Sequence, residues 1–382
     1  MMRETDQKLL GRAIAVARRA IPSCDWSTIG DMIVADRLAW EKHLHKPARD
    51  INYDLAPGLE RLQTDGFVVH PLRLEPEKVA AIRKHLEGLP VHAGYHVYQA
   101  EQRLWSLPEV QSVSPLAGYT SDQLLRTPYL VDFLNHPAII DFLQMALGCV
   151  PTLYSINAWW SFPGTSPVGD GAQHFHRDND DWKFITLFLY LTDVDEDSGP
   201  HQLIVGSHTL QGMKTLLQRA ESNGMQDDSI DAILSFTNDN YFGAQFSASC
   251  ERLFKGSIVN IGGPAGTMFM ANTIAIHRGL MPLRTPRLLI WARYGLGPNT
   301  NSADLEQGPL ARIQVKTNIP DTSRNRYINR LLFEFDRRPG LFPDFPDQTD
   351  VSAPEDIPVQ SPLRGRFSRA LRVAAQFLHR DG

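Results

Sequence analysis

The sequence has few cysteines, no long apolar run and no surplus of basic charge, and each absence narrows its function. Cys24, Cys149 and Cys250 are widely spaced, form no CxxC pair and cannot all pair within the chain, which favours a reducing compartment over secretion. No stretch approaches the roughly 20 apolar residues of a membrane-spanning helix, and the N-terminus lacks an uninterrupted apolar signal core. The formal net charge of -5, with scattered Lys and Arg, argues against a nucleic-acid partner. We therefore expect a soluble, cytoplasmic protein.

The composition is that of an ordinary globular protein of enzyme size. A chain of 382 residues with 42% hydrophobic and 21% charged residues can bury a large core. Changes in pattern divide it into a helical N-terminal extension at 1–57, a main domain at 58–320, and a C-terminal part at 321–382. The last part is predicted to be irregular and Pro-rich before a final helix.

Both terminal parts contain an amphipathic helical pattern. In the N-terminal extension, apolar residues at helix spacing predict a docked surface helix, and they are Leu10, Ile14, Ala17 and Ile21. The final helix has an apolar stripe beside several arginines, made of Leu363, Phe367, Leu371, Ala374 and Leu378. Packing on the main domain is the favoured interpretation of this helix, and weak peripheral contact with a membrane is the alternative.

The main domain becomes rich in β patterns from residue 151 onward. Short segments separated by Gly, Pro and Asp predict a sandwich or barrel, and they read TLYSINAWWSF, WKFITLFLYLT, HQLIV, SIVNI, TMFMAN and RLLIWARYG. At 182–192 both alternating sets of side chains are apolar, so both faces of this strand must be covered. One face is expected to line a pocket while the other packs on helices. Of Trp159 and Trp160, one is expected to face the core.

A His-x-Asp pair provides the first candidate metal ligands. His176 and Asp178 directly precede a strong strand, and side chains two residues apart on a strand point to the same side. Imidazole and carboxylate can therefore reach one metal while Arg177 turns away. The tripeptide alone is weak, because a sequence with 13 histidines contains such a pair by chance, as His379 and Asp381 demonstrate.

A downstream histidine and arginine raise this motif above chance. The pattern TMFMAN leads to His277, and two histidines with one carboxylate leave positions open on iron(II) for a cosubstrate and oxygen. Arg287 opens the next strand, where it would point into a barrel and require an anionic partner such as a carboxylate of 2-oxoglutarate. Arg284 competes for this role, although Arg287 has the better strand context.

These blocks resemble the phytanoyl-CoA dioxygenase-like (PhyH) family of iron(II)/2-oxoglutarate-dependent oxygenases. The resemblance rests on His176 with Asp178, on the segment DSGPHQLIVGSHT at 197–209, and on His277 with Arg287, in the family's order. It implies a mainly β fold with flanking helices around a double-stranded β-helix, a jelly-roll or cupin-like core. It also implies Fe(II) bound by His176, Asp178 and His277, with O2 and 2-oxoglutarate as cosubstrates and Arg287 binding the latter.

Several neighbouring residues differ from the family or compete for a role. Ser198 and Val205 stand where the family more often has Asn and Pro, which could reshape a turn without touching the iron ligands. His174 is expected to hydrogen-bond beside the site, and His208 to support a turn. Asn157 is expected to make an ordinary strand hydrogen bond rather than a cosubstrate contact.

The implied reaction is hydroxylation of an unidentified small organic substrate, coupled to conversion of 2-oxoglutarate to succinate. Related halogenases lack the carboxylate ligand, so the presence of Asp178 argues for hydroxylation. A zinc-dependent hydrolase with the same His2Asp set is one alternative. A non-catalytic binding protein on a degenerate barrel is another. Succinate formation from 2-oxoglutarate would distinguish the oxygenase from both.

Overall fold

The computed structural model describes residues 26–40, 44, 55–94, 103–164, 171–178, 180–225, 243–296 and 313–335. Within these ranges the helices are α1 (Trp26–Trp40), α2 (Ala56–Asp65), α3 (Pro76–Glu87), α4 (Leu107–Val110), α5 (Ser121–Leu125), α6 (Leu130–Leu134), α7 (Pro137–Leu147), α8 (Leu210–Ser222), α9 (Ala244–Phe254) and α10 (Ser323–Asn329). The strands are β1 (Phe67–Val69), β2 (Val91–Ala93), β3 (Leu104–Trp105), β4 (Leu116–Gly118), β5 (Thr152–Ser161), β6 (Phe184–Tyr190), β7 (His201–Ile204), β8 (Ile258–Ile261), β9 (Met268–Ala271), β10 (His277–Gly279), β11 (Arg287–Gly295), β12 (Ile313–Val315) and β13 (Phe333–Phe335). None of these helices has both the length and the apolarity to cross a membrane.

Two antiparallel sheets form the centre of the fold. The larger sheet has the strand order β1-β9-β6-β11-β5-β4-β2-β3, and the smaller one has the order β10-β7-β8. Side chains of both sheets, among them Phe188, Leu203, Ile261 and Phe269, share one apolar cluster. The sheets are therefore the two walls of a double-stranded β-helix, which confirms the predicted mainly β fold with flanking helices.

Strand β6 shows how the sequence pattern covers two faces. Every residue of the strand is buried. Leu187 and Leu189 join the large cluster that includes the buried faces of α3 and α7, whereas Phe188 and Tyr190 join the cluster between the sheets. One face therefore packs on helices, as expected, and the other packs in the cluster between the two sheets.

Two adjacent tryptophans of β5 point to opposite faces. Trp160 belongs to the helix-side cluster, and its Nε1 donates a hydrogen bond to the hydroxyl of Tyr119 at 3.0 Å. Trp159 packs edge to face on Trp291 of β11, with ring centroids 4.6 Å apart and planes at 90°. One of the two tryptophans thus faces the core, as predicted, and the other lies on the barrel side.

Elements from both ends of the described chain pack on the sheets. In α1, Asp31 pairs with Lys183 at 3.1 Å, and Val34 packs with Leu296. Part of the segment beyond residue 320 that was expected to be irregular forms α10 and β13. Buried Asn329 exchanges side-chain hydrogen bonds with Asn135, a long-range contact that no local pattern announces. The predicted helices at 10–21 and 363–378 lie outside the described residues.

The tight turn before β7 contains Ser198, at the position where the PhyH family more often has Asn. The carboxylate of Asp195 accepts hydrogen bonds from the N–H groups of Asp197 and Ser198, at 3.0 and 2.9 Å. The Ser198 hydroxyl donates to the same oxygen at 2.6 Å, so the serine is satisfied within the turn. Gly199 follows with φ of +70°, and β7 begins two residues later at His201.

Replacing Gly199 with Ala is expected to destabilise the protein more than the same change at Gly224. Both glycines have a left-handed backbone, with φ of +70° and +71°, which costs a residue with a Cβ about 1–2 kcal/mol. At Gly199 the Cβ would also lie 2.3 Å from the carbonyl oxygen of Leu280, whereas at Gly224 nothing is within 4 Å. Denaturant unfolding should therefore show a further loss of about 1–3 kcal/mol for Gly199→Ala. Equal losses in the two variants would contradict the close approach.

Candidate metal and cosubstrate site

Backbone pairing brings His176 and His277 together. Each residue donates its N–H to the carbonyl oxygen of the other at 2.9 Å, so an isolated antiparallel bridge adds residue 176 beside β10. Directly paired residues of antiparallel strands place their side chains on the same face. The two imidazole rings accordingly lie with centroids 4.3 Å apart, and both are buried.

Hydrogen bonds to the main chain determine which nitrogen of each imidazole faces the site. Nδ1 of His176 lies 2.8 Å from the carbonyl oxygen of His174, and Nδ1 of His277 lies 2.9 Å from that of Ala275. Because a carbonyl oxygen can only accept, both rings carry their proton on Nδ1 and present the lone pair of Nε2. Metal-binding histidines are oriented in this way by their other ring nitrogen.

The carboxylate of Asp178 lies beside both imidazoles. Its Oδ1 is 3.8 Å from Nε2 of His176, and its Oδ2 is 3.8 Å from Nε2 of His277. Two atoms that each bind one ion at about 2.1 Å can be up to about 4.2 Å apart. Each pair of imidazole and carboxylate therefore fits a single metal ion, and these three residues are the cluster with metal-binding spacing found among the described residues.

Burial and neighbouring charges prepare the three residues to bind a cation. Burial lowers the pKa of His176, and burial together with His176 lowers the pKa of His277 to about 3. Burial favours the neutral acid of Asp178, but Arg293, His277 and His176 hold the pKa of this carboxyl below its usual range. At neutral pH the site thus consists of two neutral imidazoles and one carboxylate, the protonation states that metal binding requires.

The residues around the His-x-Asp motif follow a strand pattern only at the bridge. After it, the N–H of Asp178 donates to the carbonyl oxygen of Thr273 at 2.9 Å. Arg177 points away from the ligands, as predicted, and its buried guanidinium donates to the carbonyl oxygen of Ile274. The side chains of His176 and Asp178 therefore point to the same side because of their backbone contacts with residues 273–277. A continuous strand is not the cause.

Arg287 lies in the barrel, whereas Arg284 lies on the surface. Arg287 is 5% exposed, and its Nη2 donates to the hydroxyl of Ser161 at 3.3 Å. A Cβ at Gly279 would lie 2.9 Å from this Nη2, so the guanidinium lies directly against the backbone of β10. The Arg284 side chain is 79% exposed and pairs with Asp197 at 3.4 Å. Of the two candidates, the buried one shares the interior with the histidines.

Sequence reasoning missed Arg293, which contacts the proposed metal ligand directly. Its Nη2 lies 3.1 Å from Oδ2 of Asp178, and its Nε lies 3.2 Å from Oδ2 of Asp180. Burial opposes the charged form of Arg293, but Asp180 and Asp178 raise its pKa above the usual range. The signal was present in the alternation of β11, because position 293 shares a strand face with position 287.

Replacing Arg293 with Met is expected to lower the free energy of unfolding by about 3–5 kcal/mol, because two buried carboxylates lose their counterion. Added Mn(II) should recover part of this loss, since a cation bound at Asp178 restores a positive charge beside it. Denaturant unfolding with and without Mn(II) measures both effects. Arg126→Met is the control, because this arginine pairs with Asp122 on the exposed surface and should matter little. Equal effects of the two substitutions would contradict the role of Arg293.

Three further residues make contacts in keeping with their predicted roles. Nε2 of His208 lies 2.9 Å from the carbonyl oxygen of Gln63, which ties the turn after β7 to α2. The side-chain amide of Asn157 donates to the hydroxyl of Ser155 at 2.7 Å, an ordinary contact along β5. The ring of His174 lies 3.4 Å from the hydroxyl of Ser247, measured from Nδ1, so its carbonyl group rather than its ring supports His176.

Comparison with protein families matches residues 62–234 to the family described as Phytanoyl-CoA dioxygenase (PhyH). This range contains His176, Asp178 and the turn at Gly199, and it covers less than half of the 382 residues. This segment is therefore similar to the phytanoyl-CoA dioxygenase family, the family that the motifs predicted. His277 and Arg287 lie beyond the matched range, and the fold brings them to the same interior. No curated protein matches the chain.

Comparison with solved structures matches between 63% and 71% of this chain to the three that follow. The epimerase SnoN in complex with Fe3+, alpha ketoglutarate and nogalamycin RO is 19% identical and has a TM-score of 0.45, covering 71% of this chain and 96% of SnoN. AviO1 from Streptomyces viridochromogenes Tue57 is 14% identical, with a TM-score of 0.40 and coverages of 65% and 100%. HygX from Streptomyces hygroscopicus with nickel and 2-oxoglutarate is 16% identical, with a TM-score of 0.36 and coverages of 63% and 86%. At these scores none of them identifies a substrate.

Proposed function

We propose that the chain is an iron(II)- and 2-oxoglutarate-dependent dioxygenase that hydroxylates a small organic substrate. His176, Asp178 and His277 bind the iron, and Arg287 binds the distal carboxylate of 2-oxoglutarate. When bound, iron(II) and 2-oxoglutarate supply the oxidising chemistry, in which the cosubstrate loses CO2 to become succinate while one oxygen atom enters a C–H bond of the substrate. The protein contributes binding, orientation and exclusion of water.

The observation that carries this proposal is the orientation of the two imidazoles. Main-chain carbonyl groups hold both Nδ1 protons, so both Nε2 lone pairs and the Asp178 carboxylate present donor atoms within 4.8 Å of one another. Three protein ligands leave room for further ligands on the ion, which suits a cosubstrate that chelates it. A histidine pair with a purely structural part would not need both Nε2 atoms directed at a carboxylate.

The surroundings of Arg287 support the oxygenase over a zinc hydrolase with the same ligands. A buried guanidinium in the interior, next to Gly279 of β10, matches a cosubstrate that carries a second carboxylate. Hydrolysis by a metal-bound water has no need of this group. Phe188 and Phe269, stacked with ring centroids 4.7 Å apart, make the wall between the two sheets apolar.

The proposed substrate side of the site is bordered by aromatic rings. Trp159 and Trp291 are half-buried on the barrel faces of β5 and β11, and Trp291 lies between Arg287 and Arg293 along its strand. Large, rigid indole rings favour an organic substrate with apolar or ring surface over a small polar one. Asp178 supplies the carboxylate ligand that related halogenases lack, and its presence supports hydroxylation rather than halogenation.

Isotope labelling tests the hydroxylation directly. Wild-type protein with iron(II), 2-oxoglutarate and pooled organic substrates is incubated under labelled dioxygen, and products are analysed by mass spectrometry. We expect a product that gains one labelled oxygen atom in wild type and in no sample of His176→Ala. A substrate that is consumed without gaining oxygen would contradict hydroxylation while leaving the class of enzyme intact.

A further inference from the structure

His201 is a polar side chain on the inner face of the smaller sheet, among aromatic rings. It is the first residue of β7 and 3% exposed. Its ring packs on Phe188, Phe269 and His277, with centroids 4.7, 5.3 and 5.2 Å away. His201 is not one of the predicted metal ligands, and it supports no turn in the way that His208 does. A polar ring at this position therefore needs another explanation.

The strand register places His201 between the metal ligand and Arg287. Across the sheet His201 pairs with Gly279, and His277 pairs with Leu203, so these four residues share the inner face of the smaller sheet. The guanidinium of Arg287 lies against Gly279, within 2.9 Å of the place where a Cβ would be. A dicarboxylate that extends from the metal at His277 to the guanidinium at Arg287 therefore passes His201.

The Nε2 atom of His201 is buried and has no hydrogen-bond partner among the described residues. A buried polar atom in this condition carries a cost comparable to a lost hydrogen bond, which a ligand that pairs with it removes. An imidazole carries at least one N–H, which can donate a hydrogen bond to such a ligand.

We propose that His201 is a further cosubstrate-binding residue, whose Nε2–H donates a hydrogen bond to the 2-oxoglutarate carboxylate that Arg287 holds. This inference rests on the proposed function, since it takes the same dicarboxylate as the ligand. His201 adds a directional donor to the charge of Arg287. Together the two residues bind one end of the cosubstrate while the metal ligands serve the other.

Calorimetric titration of 2-oxoglutarate into full-length, Mn(II)-loaded protein tests the proposal without turnover. His201→Leu keeps the size of the side chain but removes the donor, and we expect the Kd for 2-oxoglutarate to rise by about 10- to 100-fold. His201→Gln can place an amide N–H near the same point and should lie within a few-fold of wild type. The Kd for Mn(II) should be unchanged in both variants, which also shows that the site has folded.

His208→Leu is the matched control, because this buried histidine contacts Gln63 outside the site and should leave 2-oxoglutarate binding unchanged. Wild-type affinity for 2-oxoglutarate in His201→Leu would overturn the proposal, as would equal weakening in His201→Leu and His201→Gln. Those results leave the proposed function in place. Failure of the wild-type, Mn(II)-loaded protein to bind 2-oxoglutarate would instead overturn the proposed function, and the part of His201 with it.

Discussion

Replacing Asp178 with Ala is expected to abolish substrate hydroxylation and to weaken metal binding by at least about 100-fold. The substitution removes the only carboxylate within 3.8 Å of both imidazoles among the described residues. Loss even of a residue that merely orients a metal ligand costs about 10- to 100-fold in affinity, so loss of a ligand should cost more. Calorimetry with Mn(II) measures the affinity, and product formation with iron(II) measures the activity.

Asp178→Asn separates the negative charge from the shape of the side chain. The amide keeps the volume and can still contact Thr273, but it does not neutralise a divalent cation or Arg293. We expect its metal affinity to be nearly as low as that of Asp178→Ala, while its fold, judged by near-UV circular dichroism, is better preserved. Full activity in either variant would show that the proposed site is not the metal site.

Replacing Arg287 with Ala is expected to raise the Kd for 2-oxoglutarate by about 30-fold or more, because truncating one partner of a buried charge pair costs about 2–5 kcal/mol. The affinity for the metal should change little, because the Arg287 guanidinium is proposed to bind the distal carboxylate of the cosubstrate and not the metal. The measurement is calorimetric titration of 2-oxoglutarate into the Mn(II)-loaded variant.

Arg284→Ala is the matched control for this prediction. Arg284 lies three residues earlier, carries the same charge and is 79% exposed beside Asp197. It should bind 2-oxoglutarate as tightly as wild type, since an exposed charge is screened by solvent. The reverse result, with Arg284→Ala losing the cosubstrate and Arg287→Ala retaining it, would show that the residue assignment from strand context is wrong.

Local patterns predicted the strands because alternation and turn residues act over a few positions. The segments chosen from 151 onward correspond to β5, β6, β7, β8, β9 and β11, and the two-sided burial of β6 follows from its composition. His176, Asp178 and His277 were predicted from the order of the motifs along the chain, and the structure brings their side chains together, within 4.8 Å of one another. The structure adds their register, in which residue 176 pairs with residue 277 across about a hundred positions of sequence.

The remaining parts of the site depend on contacts between distant segments. Arg293 could have been found by extending the alternation of β11, but its partner Asp180 lies on a loop whose path only the fold defines. His201 lies in the segment DSGPHQLIV, whose motif predicts a turn and a strand but no role for this histidine. Its importance emerges from the pairing with Gly279 and the nearby guanidinium, neither of which has a local signature.

Metal-dependent conversion of 2-oxoglutarate to succinate tests the central claim most directly. Wild-type protein and His176→Ala are each incubated with pooled candidate substrates, 2-oxoglutarate and either iron(II) or zinc(II), and succinate is quantified. We predict that wild-type protein forms succinate when the metal is iron(II) but not when it is zinc(II). His176→Ala should form only background levels of succinate with either metal. Equal succinate from His176→Ala, or none from wild-type protein that has bound iron(II), would contradict the assignment of this site as an iron(II)/2-oxoglutarate centre.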